Sequence, residues 1–444
     1  MNAALAPPRN EPLRLNSFQR LMLGWDELHP YNSLAVVEVR RAVTVEEVRR
    51  AAEMERLLHG LGPAQIDAAR GVCVFLPDAG SVEVDTVEPL PGEDARQTLQ
   101  RHTAAELNRR FVLGKDVPFR LAVIACRPYP FVSFTYHHWL CDGLTSGYLF
   151  RRILAHLLGV PLDHEPVWSF DNVADERMLF AHRGDWRRSA AIAWEILREG
   201  LNGSAICQPR RPGPFDATVA VRLLNTPPDL LDRLRATVRN TGGTVNDVLM
   251  AVVAGAVDRA LPERLRNRWA RTLTLGNITN MRPLAGNALH QHAGLYLGFF
   301  LIHCRAKLPR NLVERVRLIR RQSARIKNAN LHVGSLTGIR LAARVWPWVP
   351  RRYRAALART PLRVTVGLSN LRYPLDWYGP QWNDLLGPFW RVVPTGQNTP
   401  LSFGITTVGA TMQLQMTALR SGYDAEQLQT IQRLVEVGLA ELPG

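Results

Sequence analysis

The chain has 444 residues, of which 46% are hydrophobic and 21% are charged, values typical of soluble globular proteins. This length exceeds what one hydrophobic core usually organises, so we expect two halves, residues 1–170 and residues 171–444. The net charge of +16 attracts anionic partners. The arginines are nevertheless spread along the whole chain and form no nucleic-acid-binding signature, so we expect no nucleic-acid partner.

The sequence also argues against several other classes of protein. No apolar stretch is long enough to cross a membrane, and Pro7 and Pro8 interrupt the N-terminus too early for a secretion signal. The five cysteines are scattered and include no CxxC pair, which argues against disulfides and a zinc site. His290 and His292 would share one face of an extended segment, but nothing indicates a third metal ligand. We therefore expect a cytoplasmic protein with no metal site.

Strands and helices alternate from the start of the first half. Ser33–Val39 is an alternating apolar stretch typical of a strand, and Thr44 is placed to cap a helix that begins at Val45. Weaker strand patterns follow at Val72–Phe75 and Val82–Val87.

The clearest local pattern is a hairpin followed by a helix. Phe119–Cys126 and Phe131–Tyr136 are rich in β-favouring residues, and the short proline-containing link between them predicts antiparallel pairing. Leu144–Leu158 has apolar residues on one helical face, and Gly159 is placed to end that helix. Periodicity is then lost between Asp163 and Gly184, where we place the passage between the two halves.

The second half repeats this alternation, so the fold class is α/β (α+β). Thr244 is placed to cap a strongly apolar helix, Val245–Leu261, and we interpret Trp346–Arg363 as irregular. The other predicted helices of this half are Ser189–Gly200, Pro227–Thr241, Leu312–Asn328 and Ala425–Leu439. Its predicted strands are Thr218–Leu224, Thr272–Leu275, Leu295–Arg305, Arg363–Leu368, Leu401–Val408 and Thr411–Ala418.

A chemically distinctive run follows the Phe131–Tyr136 strand directly, in the order His137-His138-Trp139-Leu140-Cys141-Asp142-Gly143. Adjacent side chains of an extended strand point to opposite faces, so at most one of the two histidines can face a given cleft. The pair therefore offers one catalytic and one structural imidazole. A neutral imidazole can take the proton of an amine, hydroxyl or thiol that attacks an acyl group.

Each residue of this run also has a simpler interpretation. His137 fits a hydrogen-bonded residue at a strand end, Asp142 fits a helix N-cap, and Gly143 fits a turn. Their combination is what points to function. Two histidines, an aspartate and a glycine at this spacing are expected by chance only ~10⁻³ times in such a chain.

The run resembles the H-H-x-x-x-D-G motif shared by nonribosomal peptide condensation domains, wax-ester synthase type acyltransferases and relatives of chloramphenicol acetyltransferase. Val112 departs from the resemblance, because condensation domains favour aspartate at that position. The further segments that resemble this superfamily are Ser17–Met22, Phe111–Leu113 with Pro118–Arg120, Val245–Leu249, Gly298–Phe300 and Leu368–Asn370.

The resemblance implies a fold of two chloramphenicol-acetyltransferase-like halves, a pseudo-dimer with its active site at their interface. It implies that His138 acts as the general base or positions the acceptor, with His137 as the structural histidine of the motif. Asp142 would be structural and pair with Arg282, and Gly143 would line the path of a phosphopantetheine arm. Ser369 and Asn370 are candidate pocket residues. No metal and no tightly bound cofactor are implied.

The leading functional prediction is a condensation-type acyltransferase. It would move an acyl or aminoacyl group from a phosphopantetheine thioester to a small-molecule amine or alcohol. The chain ends soon after its last predicted helix, so we expect a free-standing enzyme whose acyl or peptidyl carrier protein binds in trans.

Two alternatives remain open. One is an acyl-CoA-dependent alcohol O-acyltransferase of the wax-ester synthase or polyketide-associated type. Gln19-Arg20 and Gly298–Phe300 favour condensation over it. The other is a catalytically silent member that only binds carrier proteins, which the intact motif disfavours because binding alone would need neither His138 nor Asp142.

Overall fold

The computed structural model describes residues 12–443 apart from residues 69, 163–164, 171–189, 196–197, 199–205, 208–215, 262–270, 290, 306 and 359–362. Its contacts divide the chain into two compact units. The first unit comprises Met1–Ala181, Met281–Leu297 and Tyr373–Val392. The second unit comprises His182–Asn280, Gly298–Arg372 and Val393–Gly444.

A single boundary near residue 170 does not separate these two units, because two later segments, Met281–Leu297 and Tyr373–Val392, belong to the first unit. The segment Tyr373–Val392 adds a strand to the sheet of the first unit. Pairing across so long a stretch of sequence leaves no local signal.

The described helices of the first unit are α1 (Ser17–Asp26), α2 (Val45–Leu58), α3 (Ala95–Asn108) and α4 (Gly143–Leu158). Its strands are β1 (Leu13–Arg14), β2 (Asn32–Val39), β3 (Ala64–Asp67), β4 (Val72–Phe75), β5 (Val84–Val87), β6 (Phe119–Ile124), β7 (Phe131–His137) and β12 (Leu386–Val392). Five of these strands form one sheet in the order β12-β2-β7-β6-β5, and β1, β4 and β3 form a second, smaller sheet.

Helices cover both faces of the larger sheet, with β7 in its middle. On one face, the His102 ring of α3 lies 2.8 Å from the Ser133 hydroxyl of β7. On the other face, Phe134 of β7 stacks on Phe150 of α4 with ring centroids 5.5 Å apart. Every residue of β7 is therefore buried, including the polar residues Ser133, Thr135 and His137.

The second unit is built around one six-stranded sheet within the described residues. The strands are β8 (Val219–Leu223), β9 (Leu273–Asn280), β10 (Leu297–Cys304), β11 (Val366–Arg372), β13 (Leu401–Val408) and β14 (Thr411–Leu419). Their order in the sheet is β10-β9-β11-β13-β14-β8. The described helices are α5 (Leu230–Thr241), α6 (Val245–Ala260), α7 (Leu312–Asn328), α8 (Gly334–Val345), α9 (Arg351–Ala358) and α10 (Ala425–Ala440).

The predicted α/β class is confirmed, and so are most of the predicted elements. The β6–β7 hairpin pairs antiparallel, from Phe119 opposite Tyr136 to Ile124 opposite Phe131. Thr44 and Thr244 cap α2 and α6, each through a capping box. Of the predicted helix Ser189–Gly200, residues 190–195 and 198 are helical and the rest lies outside the described residues.

Three predictions differ from the structure. Trp346–Arg363 is not irregular throughout, since α9 occupies Arg351–Ala358. Helix α3 was not predicted, because its buried side chains include Thr98, His102 and Glu106 and so blur the apolar pattern. Strand β12 was not predicted either, because its Gly-Pro pair at residues 387–388 hides the strand signal.

Candidate active site

Strand β7 ends at the two histidines and presents them to different surroundings. Its side chains alternate between the two faces of the sheet. His137 is fully buried, whereas His138 retains 8% exposure. The side chain of His138 lies on the same face as Tyr136, with ring centroids 5.9 Å apart.

His138 is held by its own turn and by Tyr31. Its backbone N–H donates to the Tyr31 carbonyl at 2.9 Å, and its ring stacks on the Tyr31 ring with centroids 6.0 Å apart. Nδ1 lies 3.0 Å from the carbonyl oxygen of Cys141. Because a carbonyl only accepts hydrogen bonds, Nδ1 must carry the hydrogen of the neutral ring. Nε2 is then the unprotonated nitrogen, and no hydrogen bond within the described part of the chain engages it.

The surroundings of His138 favour its neutral form. Burial lowers the pKa of His138 to about 4, against the opposing effects of the Cys141 hydrogen bond and the Asp142 charge. The positive charge of Arg391 lowers this pKa further. At neutral pH the ring is therefore uncharged, with a lone pair on Nε2 that can accept a proton.

Arg391 was not anticipated from the sequence. It is a buried residue of β12, opposite Ala35 of β2, which in turn pairs with Phe134 of β7. Directly paired residues share a face of a sheet, so Arg391 lies on the face that carries His138. Only the pairing of a distant strand brings this charge there.

His137 lies among different partners, on the opposite face of β7. Its Nδ1 accepts a long hydrogen bond of 3.4 Å from the backbone N–H of Trp139, which leaves the hydrogen of the neutral ring on Nε2. Nε2 is 3.3 Å from Oδ1 of Asp26. Burial raises the pKa of Asp26, but His137, the Tyr31 N–H and Arg110 outweigh it and hold that pKa below its usual range. Both ring nitrogens of His137 thus face protein groups.

Asp142 begins helix α4 as its N-cap. It has extended backbone dihedrals, with φ −85° and ψ 177°, and its Oδ1 accepts from the Thr145 N–H at 2.9 Å. The helix-cap interpretation is therefore correct as far as Oδ1 is concerned.

The other oxygen of Asp142 meets the arginine that the resemblance named. Arg282 donates from Nη1 to Oδ2, and the side chains of both residues are almost fully buried within the first unit. Oδ2 also accepts from the Tyr296 N–H at 3.1 Å, and Nη2 of Arg282 donates to the Thr145 hydroxyl at 2.8 Å. The Asp142–Arg282 pair is thus part of a hydrogen-bond network that connects residues 281–297 to the start of α4.

Gly294 completes this network through its backbone. Its carbonyl accepts from the Asp142 N–H at 2.9 Å. Its φ of +149° is unfavourable for other residues, and a Cβ there would lie 3.0 Å from the Tyr296 ring. Backbone donors and acceptors carry no side-chain signature, so this role cannot be predicted from the sequence.

Two further segments support the motif from outside. The amide of Gln19 in α1 donates to the Trp139 carbonyl at 3.1 Å, which gives the Ser17–Met22 resemblance a structural role. The Tyr373 hydroxyl donates to the carbonyl of Gly143 at 3.3 Å. Tyr373 packs so closely over α4 that a Cβ on Gly147 would lie 2.0 Å from its ring.

Comparison with known proteins finds similarity at the level of the structure. No family model matches the chain, and no curated protein matches its sequence. The first condensation domain of the calcium-dependent antibiotic synthetase, in complex with a substrate analogue, is similar with a TM-score of 0.69 at 14% identity, over 98% of both chains. The epimerization domain from the third module of tyrocidine synthetase B has a TM-score of 0.64 at 12% identity, also over 98% of both chains. The X-domain from teicoplanin biosynthesis has a TM-score of 0.57 at 17% identity, over 99% of this chain and 98% of that one.

This chain has the condensation-domain fold. The expected architecture of two chloramphenicol-acetyltransferase-like halves is confirmed at the level of the fold. The first unit contains all the motif residues and the arginine paired with them: His137, His138, Asp142, Gly143 and Arg282.

The candidate pocket residues Ser369 and Asn370 belong to the second unit. They lie on β11, half-buried, opposite Gly404 and Ile405 of β13. Their role in a pocket stays a prediction, as does the expected position of the active site between the two halves.

Other site types find little support in the described residues. His290 lies outside them, and no group of three or more histidine, cysteine or acidic side chains in the described part of the chain could hold a metal ion. Of the helices that the structure describes, none combines the length and the apolar character that crossing a membrane requires.

Proposed function

We propose that this protein is a condensation-type acyltransferase. It transfers an acyl or aminoacyl group from the phosphopantetheine thioester of an acyl or peptidyl carrier protein to a small-molecule amine or alcohol. The observation that carries the proposal is the state of His138, a neutral imidazole whose Nδ1–H is committed to the Cys141 carbonyl and whose Nε2 can accept a proton.

The chemistry follows from that nitrogen. As the amine or hydroxyl attacks the thioester carbonyl, its proton passes to Nε2 of His138 and its lone pair forms the new bond to carbon. Collapse of the tetrahedral adduct breaks the carbon–sulfur bond, and the proton held by Nε2 goes to the departing thiolate. The products are an amide or ester and the free phosphopantetheine thiol, with His138 neutral again. The thioester is a substrate in this scheme, and the residues require no resident cofactor.

Asp142 and Arg282 support this chemistry without taking part in it. Both oxygens of Asp142 are hydrogen-bonded, and the residue caps α4 immediately after the turn that contains His138. The carbonyl of Cys141, which orients the His138 ring, directly precedes Asp142 in the chain. Fixing Asp142 therefore fixes the acceptor of the Nδ1–H bond. Half-buried Gly143 follows, and we assign to it the path of the phosphopantetheine arm.

The fold alone does not choose the reaction, because structures described as condensation, epimerization and X-domains all share it. A silent, carrier-binding protein would need no buried neutral histidine with an unengaged acceptor nitrogen. That feature is the reason to prefer a catalyst.

Product analysis by mass spectrometry tests the proposal. Purified protein would be incubated with acyl groups loaded on a carrier protein, or with the same acyl-CoA, and with panels of amines and alcohols. We expect His138-dependent acylation of an acceptor from the carrier-bound donor. Efficient turnover of acyl-CoA but not of carrier-bound donor would replace the proposal with the alcohol O-acyltransferase alternative. Carrier binding without acylation of any acceptor would favour the silent alternative.

A further inference from the structure

A stretch of the second unit exposes apolar side chains that folded proteins usually bury. Trp348 is 85% exposed, Leu341 64%, Tyr353 53% and Val345 43%. No other stretch this short exposes four large apolar side chains within the described residues. We call these four residues the apolar stripe.

Three of the four residues of the apolar stripe follow the spacing of one helix face. Helix α8 turns Leu336, Ile339 and Ala343 inward, where they are buried. Leu341 and Val345 lie on its outward side, and Trp348 continues the row at the i, i+4, i+7 spacing of one helix face.

The end of the stripe is held in place by its neighbours. Trp346 is 5% exposed, and the guanidinium of Arg354 lies 5.9 Å from the centre of its ring. Nε of Arg354 also donates to the Val349 carbonyl at 2.9 Å. Trp348 is therefore presented to solvent by a preformed turn between α8 and α9.

The charge around the stripe has a single sign. Between Glu314 and Asp376 the sequence contains no aspartate or glutamate. Arg340 and Arg344 border the stripe on α8, and Arg351 and Arg352 border it on α9, and all four are exposed. Among the described residues of this segment, the charged side chains beside the apolar row are cations.

We propose that residues 334–358 bind the surface of an anionic lipid bilayer, with the apolar stripe inserted among the headgroups and the arginines on lipid phosphates. Helices that lie in this interface carry arginine or lysine on one side and tryptophan or leucine on the other. Aromatic rings prefer the headgroup level, and an anionic leaflet attracts clustered cations. A bilayer covers such a row without the fixed shape complementarity that a protein partner requires. The proposal is independent of the acyl-transfer reaction, because no residue of the stripe belongs to the unit that carries His138.

Vesicle co-sedimentation of the full chain tests this surface. The protein would be mixed with vesicles of phosphatidylcholine alone, or of phosphatidylcholine and phosphatidylglycerol in equal parts, at low and at high salt. We expect binding to the anionic vesicles that weakens as salt screens the arginines. Trp348→Ser should lower the partition coefficient roughly tenfold, by loss of buried aromatic surface. Arg344→Gln with Arg351→Gln should lower it about 25-fold, since each arginine near an anionic surface adds about fivefold.

Matched variants control for general effects of exposed residues. Trp194 is 62% exposed elsewhere in the second unit, and the side chain of Arg70 is 83% exposed in the first. Trp194→Ser and Arg70→Gln should bind vesicles like the wild type, and the melting temperature of every variant should be unchanged.

Three results would each overturn the proposal. The first is absence of binding to anionic vesicles at low salt, and the second is equal binding by the Trp348 and Trp194 variants. The third is a requirement of the stripe for capture of carrier protein but not of vesicles, which would assign the surface to an acidic protein instead.

Discussion

The two faces of strand β7 place chemically identical side chains in opposite situations. On one face, His137 is fully buried and both of its ring nitrogens meet protein groups, the Trp139 N–H and the Asp26 carboxylate. On the other face, only Nδ1 of His138 has a hydrogen-bond partner among the described residues, the carbonyl of its own turn. The two histidines are adjacent in the chain, yet the ring nitrogens of His137 contact protein groups, whereas Nε2 of His138 can contact a substrate.

The difference comes from what the neighbouring elements supply. Asp26 ends α1 and places a carboxylate next to His137. His138 instead packs against the aromatic ring of Tyr31 and lies near the positive charge of Arg391. Burial beside a cation opposes protonation of the His138 ring. The function of each histidine is therefore decided by strands and helices remote in sequence.

Replacing each histidine with alanine should affect catalysis in one variant and stability in the other, and the loss of kcat is the largest effect we expect. His138→Ala should lower kcat about 10²–10⁴-fold, the usual cost of losing a general base, while the protein stays folded. His137→Ala should retain most of kcat and lower the melting temperature, because the buried carboxylate of Asp26 loses one of its partners. Steady-state kinetics and thermal unfolding of both variants give the comparison. Near-normal turnover by folded His138→Ala would contradict the account.

Removing one member of the Asp142–Arg282 pair should destabilise the His138 face. Asp142→Asn or Arg282→Ala should each cost about 3–5 kcal/mol of unfolding free energy, because the remaining buried charge loses its partner. The double variant should cost less than the sum, since contacting residues couple.

Denaturant unfolding would measure this double-mutant cycle. The exposed pair Glu46 and Arg49 is the matched control and should show little coupling. A coupling energy for Asp142 and Arg282 no larger than that of the exposed pair would reduce Asp142 to a simple helix cap.

Lowering the pH should reduce the free energy of unfolding of the wild type more than that of the His138→Ala variant. The pKa of His138 is about 4 in the folded protein and about 6.5 when unfolded, so the unfolded chain binds more protons between these values. Stability therefore falls as pH drops from about 6.5 to about 4, by about 3 kcal/mol from this group alone. Chemical denaturation of both proteins across this range isolates the contribution. Parallel pH profiles would show that His138 is not held neutral.

The elements found from sequence are those with a local pattern. The β6–β7 hairpin, α4 and the capped α2 and α6 all show apolar periodicity or capping residues within a single window of sequence. Helix α3 has a capping box at Asp94 and Gln97, but its apolar periodicity is blurred, because it buries Glu106 against Arg120 and His102 against Ser133. Such polar pairs can be recognised only in the folded structure, where the positions of both partners are known.

The same distinction holds for the site. The His137–Gly143 run is contiguous, so its residues could be singled out, and Arg282 followed from the resemblance. Tyr31, Gly294 and Arg391 act through backbone groups, ring stacking or charge, at positions fixed by contacts between segments distant in sequence. No spacing rule within the sequence connects them to His138.

The smallest effect we expect concerns the cation on the His138 face. Arg391→Met should raise the pKa of His138, because the arginine charge opposes protonation of the ring. The acid limb of the pH profile of kcat should then move to higher pH. The matched control is Arg152→Met, which removes a buried arginine bound to Glu55 in the same unit and should leave the limb in place. Identical shifts for the two variants would mean that Arg391 has no specific effect on His138.

The hydrogen positions on the two rings test the central claim most directly. In the protein with ¹⁵N-labelled histidine, NMR at neutral pH distinguishes the two neutral tautomers, and the His137→Ala and His138→Ala variants assign the signals. We predict opposite tautomers, with Nδ1–H on His138 and Nε2–H on His137, and a titration midpoint for His138 of about 4. An Nε2–H tautomer on His138, or a midpoint at the ordinary value of about 6.5, would contradict the assignment of His138 as the proton acceptor.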